Sequence, residues 1–254
     1  MVDLAQLITD LDAESAELDH LAADADWALP TPAPGWTIAH QISHLAWTDA
    51  IATLAVTDPE AFRAVLDDAV DDPDGFTDRA AMAGLAPKDE LLARWRAGRA
   101  RLGDALRRAD PGAKIIWFGP AMTPATMVTS RLMEAWAHGQ DIADALGATR
   151  GPTDRLRHVA HLGFRTLGYS FLTHGRPAPT EPVRVELTDP TVSFGPPDAA
   201  NRLTGPALDF CLLVTQRRHH ADLALTATGP VATEWLDVAQ AFAGPPGTKR
   251  GPRS

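Results

Sequence analysis

The sequence predicts an α+β protein: an N-terminal four-helix bundle over residues 1–175, a small α+β domain over 176–244, and a disordered tail over 245–254. Three observations carry this. Before residue 175, apolar residues recur at helical spacing in long stretches. Gly175 to Pro182 is proline-rich and forms a stiff linker. Beyond it, Val183 to Thr188 alternates apolar and polar residues, the pattern of a half-buried strand.

In chain order, Leu4, Leu7, Ile8, Leu11, Leu18 and Leu21 predict a first helix over residues 2–24. Pro30, Pro32 and Pro34 make an extended connector. A second long helix covers 36–57, a shorter one 59–70, and 71–86 is expected as loop; the acidic cluster Asp67, Asp68, Asp71, Asp72 and Asp74 reads as a solvated stretch. Pro87 opens a third long helix to about 109, with Asp89 and Glu90 in its first turn and Leu91, Leu92, Trp95, Leu102 and Leu106 on its apolar face. Thr123 as N-cap, Pro124 at the first helical position and Gly147 past the end delimit the next helix. A fifth helix is expected over 153–173. In the second domain, Asp189-Pro190 turns the chain towards a hairpin partner at 192–195. A helix over 206–217, a strand over 221–229 and a helix over 230–243 follow.

Composition narrows the function. The chain has 254 residues, 45% apolar and 22% charged, and a net charge of −10. That balance argues against sequence-independent nucleic-acid binding and against an anionic membrane surface, both of which need a basic face. No segment approaches the ~20 apolar residues of a membrane span. The N-terminus lacks the basic and apolar regions of a signal peptide. The lone Cys211 cannot form an internal disulfide, so a reducing cytoplasm is the simplest setting. Cys211 lies in an apolar run and is expected as a buried structural thiol, so any thiol chemistry needs an external thiol.

The chemistry concentrates in two helices. Glu134 and His138 are four apart and share a helical face. Leu132, Met133, Ala135, Trp136 and Ala137 around them are apolar, and a buried carboxylate is costly unless paired or metal-bound. His40 and His44 share a face of the second helix. Side by side, the two helices could bring His44, Glu134 and His138 to one divalent metal with a coordination position left open, the pattern of a catalytic zinc site. A buried Glu–His hydrogen bond is the alternative. For a metal, the three donor atoms should converge to roughly 3–4.5 Å from one another.

The segment from Gly35 to Ala46, with Trp36 before the helix and His44 before Leu45-Ala46, resembles the opening motif of the mycothiol-dependent maleylpyruvate isomerase family of the DinB-like superfamily. The run Glu134-Ala-Trp-Ala-His138, followed by Asp141 and Ile142, resembles its second motif. Gly205-Pro206, an apolar helix and Arg217 resemble a third, in the C-terminal domain. The similarity extends to an actinobacterial metal-binding subgroup with a wyosine-formation-like C-terminal region. Position 40, often Asp in these proteins, is His here, so His40 is a candidate supporting group or extra ligand.

The resemblance implies a DinB-like bundle and a sterol-carrier-like second domain. It implies a metal, zinc expected, on His44, Glu134 and His138, and mycothiol as the low-molecular-weight thiol acting with an electrophilic small molecule. The reaction class is thiol transfer or isomerisation. Arg217 would clamp a carboxylate of thiol or substrate, or else cap its helix. Asp141 would orient a ligand imidazole, or stand as a helix-surface charge. Trp117 and Phe118 would wall the pocket and contact the cosubstrate, or pack between helix ends. The competing class is a non-catalytic small-ligand carrier or regulatory module with a structural metal.

Overall fold

The computed structural model describes residues 3–72, 75–247 and 249–252. The expected first helical residue, Val2, lies outside these, as do Asp74 of the acidic run and Thr248, Arg253 and Ser254 of the tail. The chain divides into two compact units, 1–149 and 150–254.

The first unit is helical. Asp3 caps α1 (Leu4–Ala23) by accepting from the Ala5 amide at 3.0 Å. After the proline connector come α2 (Ile38–Thr57) and α3 (Pro59–Asp71), the latter capped by Asp58 with Pro59 at its start. Then follow α4 (Phe76–Ala83), α5 (Lys88–Arg108) and α6 (Pro124–Ala145), whose N-cap Thr123 accepts from the Thr126 amide. The long helices α1, α2, α5 and α6 form the bundle, with α2 against α5 and α6, and α1 against α6 and α5. Leu18, Ile38, Ile42, Leu45, Leu91, Trp95 and Ile142, drawn from all four, share one buried cluster with Trp27. Burying that much apolar side chain, at about 1.5–3 kcal/mol each, sets the spacing of α2 and α6.

Where loop was expected over 71–86, the chain forms α4. Its sequence has little apolar periodicity, so the helix depends on tertiary anchors. Ala81 is buried, and its carbonyl accepts from Ser43 Oγ on α2 at 2.7 Å.

The second unit starts earlier than the expected boundary at 175. The predicted fifth helix is two helices, α7 (Leu156–Arg165) and α8 (Leu167–Thr173), and α7 packs on α9 (Ala207–Val214). The approach is close: a Cβ at Gly163 would stand 2.8 Å from Val214 Cγ2. Four strands, β1 (Val183–Thr188), β2 (Val192–Phe194), β3 (Asn201–Pro206) and β4 (Thr226–Thr228), make a sheet in the order β2-β1-β3-β4. β3 runs parallel to β1 and the other pairs are antiparallel. β3 was not expected, because Leu203 is its lone large apolar residue and Gly205-Pro206 ends it; pairing with β1 and β4 makes it a strand. The expected strand over 221–229 shrinks to β4, after a 3-10 turn at His220–Asp222. The last helix is α10 (Pro230–Val238), shorter than the expected 230–243. The described tail residues form no helix or strand, yet Arg250 Nη1 donates to the Arg217 carbonyl at 2.8 Å. No described helix is long and apolar enough to cross a membrane.

Candidate metal centre

The packing of α2 on α6 brings His44 to Glu134 and His138. Glu134 Oε2 lies 3.2 Å from His138 Nε2, its neighbour one turn along α6, and 3.5 Å from His44 Nε2. Each of the three offers a ligand atom, and these atoms all lie within 4.8 Å of one another. Glu134 keeps 20% of its side chain exposed, against 8% for His44 and 12% for His138, so solvent reaches the cluster best at the carboxylate.

The charge states suit a cation. Burial, with the charge of His138 added, lowers the His44 pKa to about 4, against the pull of Glu134. Burial alone would raise the Glu134 carboxyl. Contact with the His138 and His44 imidazoles, with the charge of Arg131, outweighs it and holds the group well below the usual carboxylate range. At neutral pH the cluster therefore offers an ionised carboxylate and a neutral His44 imidazole, the hard-to-borderline donor set that zinc and its neighbours accept. The residues present fit a divalent metal.

His40 is not part of this group. Its Nδ1 accepts from the Thr37 amide at 3.2 Å, closing the start of α2, and its Nε2 meets Met82 Sδ of α4 at 3.0 Å. The site's nearest wall is instead Trp36. Its ring stands 5.4 Å from His44 and 6.1 Å from His138, and its indole N–H donates to Asp78 of α4 at 3.0 Å. Beyond His44 runs an aromatic chain. Trp47 lies 6.1 Å from His44 and contacts Phe76 and Phe118, while Trp117 stacks on Phe62 with the planes 2° apart. Trp117 and Phe118 thus pack against α3 and α4, with Trp47 between Phe118 and the histidine.

The first unit has known relatives. The family described as Mycothiol maleylpyruvate isomerase N-terminal domain matches residues 8–143, more than half of the chain. The chain belongs to that family. A second family, described as Wyosine base formation, matches residues 179–228. Uncharacterized proteins from two strains of Mycobacterium tuberculosis are each 53% identical over 259 residues, covering 98% of this chain and all of theirs. Two crystal structures of the mycothiol-dependent maleylpyruvate isomerase, one a histidine-to-alanine mutant, share the fold. The mutant aligns with a TM-score of 0.62 at 17% identity and the other with 0.59 at 16%, each over 91% of this chain and 96% of theirs.

Of the other residues singled out for this family member, Asp141 is 1% exposed on α6, so it is no surface charge. The ring nitrogen of His138 that faces away from Glu134 meets Gln41 Oε1, at 2.5 Å. Arg217 lies in the second unit, where its Nη1 donates to the Thr215 carbonyl at the end of α9 at 2.7 Å. Cys211 is buried in α9 and donates to the Leu156 carbonyl at 3.6 Å. Gln41 and Arg131 escaped the sequence reading. Arg131 is 3% exposed and donates to Asp49 Oδ1 at 3.2 Å and Thr48 Oγ1 at 2.6 Å, bridging α6 to α2 beside the cluster. For Arg131 the signal was available, since it sits three residues before Glu134 in an apolar helix.

Proposed function

We propose that this protein is a metal-dependent enzyme that uses a low-molecular-weight thiol, mycothiol by family, to transfer to or isomerise an electrophilic small molecule. The convergence of His44, Glu134 and His138 in a member of the maleylpyruvate isomerase family supports this reading above all. His44 and His138 would hold the metal through Nε2 and Glu134 through a carboxylate oxygen, with zinc the expected ion. When bound, the ion supplies a Lewis-acidic centre that favours the thiolate form of a thiol at neutral pH.

The chain's own residues would do the rest. Trp36 excludes water from the imidazole side. The Trp47–Phe118 contact, with Trp117 behind it, supplies an apolar wall for the cosubstrate or the carbon skeleton of the electrophile. Arg131 stabilises the ionised Glu134 from the buried side, and Asp141 is the acid closest in sequence to the ligand pair. Arg217 is the candidate partner for a carboxylate on the thiol or the substrate.

The test combines metal analysis with turnover. Protein purified without chelator should carry about one divalent metal per chain and consume an activated alkene only when thiol is present. His44→Ala, Glu134→Ala and His138→Ala should each lower that rate by at least about 100-fold, since a metal centre contributes several kcal/mol to such steps. Fully active variants would overturn the reading. Bound metal without any thiol-linked turnover, combined with tight binding of apolar ligands, would point to a carrier.

A further inference from the structure

We infer that Gln41 is a positioning residue: its side-chain carbonyl, oriented by Thr31, holds His138 with the proton on Nδ1 and the Nε2 lone pair turned towards Glu134 and His44. The inference rests on the metal-binding reading above, and it follows from a chain of hydrogen bonds with a single direction. Thr31 Oγ1 lies 3.0 Å from the Trp36 carbonyl oxygen, which can only accept, so the hydroxyl proton points there. A hydroxyl has one proton. Towards Gln41 Nε2, 2.8 Å away, Thr31 therefore offers a lone pair, and the amide NH2 donates to it.

That places the amide oxygen of Gln41 against His138 Nδ1. A carbonyl oxygen only accepts, so Nδ1 carries the proton. A neutral imidazole has one N–H, so Nε2 keeps its lone pair. The lone pair then faces Glu134 Oε2 at 3.2 Å, where a cation between the two atoms would accept from both. The network thus prepares His138 as a ligand before any ion arrives.

Its anchor is backbone. Trp36 O also accepts from the Thr31 amide at 2.8 Å, and Pro30 bridges Thr37. Gln41 itself is fully buried. Reversing its amide would force the Thr31 hydroxyl to abandon the Trp36 carbonyl. His44 has no matching support, because its buried Nδ1 lacks a hydrogen-bond partner. Orientation of the ligand pair is therefore concentrated on one ring.

Two measurements on the full chain test this, with circular dichroism to show that each variant folds. The first is zinc affinity by competition with a chromophoric chelator. Gln41→Leu should weaken zinc roughly 10–100-fold, the usual cost of removing a group that orients a metal-ligating histidine. Thr31→Val should fall between wild type and Gln41→Leu. The second is the long-range 1H–15N spectrum of metal-free protein at about pH 8.5, where an ordinary imidazole is neutral. Wild-type His138 should show the Nδ1–H form, and Gln41→Leu and Thr31→Val should admit the Nε2–H form. A wild-type His138 protonated on Nε2, or a Gln41→Leu variant that binds zinc as tightly as wild type, would overturn the inference. If wild type binds no divalent metal, the proposed function falls, and the tautomer measurement still decides the role of Gln41.

Discussion

Trp36 stacks over His138, with ring centroids 6.1 Å apart and planes 17° apart. The indole is held from behind by Asp78, so it walls the His138 ring without competing for the nitrogen that faces Glu134. Trp36→Ala should therefore keep the metal-to-protein ratio of wild type while lowering kcat/KM by about 10-fold or more, because water and misaligned substrate gain access. Trp36→Phe should retain most of the rate. Loss of metal from Trp36→Ala would show that the indole holds the ligands in place instead.

Metal should also stabilise the fold. An ion that binds only the folded chain adds about 2.7 kcal/mol at a hundred times its dissociation constant. Thermal melts with added zinc should show a higher Tm than melts with chelator. In Glu134→Gln that difference should largely vanish, since the amide cannot supply the charge that draws the cation.

Arg131 and Asp49 form a buried pair between α6 and α2. Burial pushes the Asp49 carboxyl up even though Arg131 opposes it. Arg131→Met alone should cost about 3–5 kcal/mol in urea denaturation, because it strands a buried carboxylate. Adding Asp49→Leu should recover most of the loss. A single variant as stable as wild type would mean that Asp49 is readily neutralised.

Acid should weaken the bundle through Asp19. Arg96 donates to it through Nε at 2.8 Å and Nη2 at 2.6 Å, and Arg99 through Nη2 at 2.7 Å. The hydrogen bond from Arg96 leads in lowering the carboxyl's pKa, against desolvation and with help from Arg99. A folded-state pKa below the unfolded one gives stability that is present above the unfolded value, about 3.9, and is lost as pH falls through the folded one. Denaturation from pH 7 down to pH 2 should show wild type more stable than Asp19→Asn at neutral pH, with the gap closing below about pH 4. A constant gap would locate the effect in packing.

Much of the first unit was legible because its long helices carry their own punctuation. Thr123-Pro124 opens α6 where expected, and the leucine face of α5 is buried as its spacing implies. Glu134 stood out as a carboxylate among apolar neighbours. Elements whose stability comes from elsewhere in the chain were not legible. α4 depends on Ser43, and β3 depends on β1, so neither declares itself in local pattern. Gln41 is a similar case: an amide in a helix says nothing of the imidazole it meets 97 residues later.

The eight residues of α4 are too few to hold a helix unaided. They are pinned to the start of α2 through Ser43, Trp36 and His40, while the three candidate ligands sit on the two long helices α2 and α6. On the proposed metal-binding reading, holding an ion and shaping its approach would thus be separable tasks, carried by different stretches of chain. Changes within 76–83 could recut the approach and leave the coordinating atoms untouched. Relatives with one coordination chemistry can on this plan diverge in what they admit, and α4 is where such divergence would be least costly to the core.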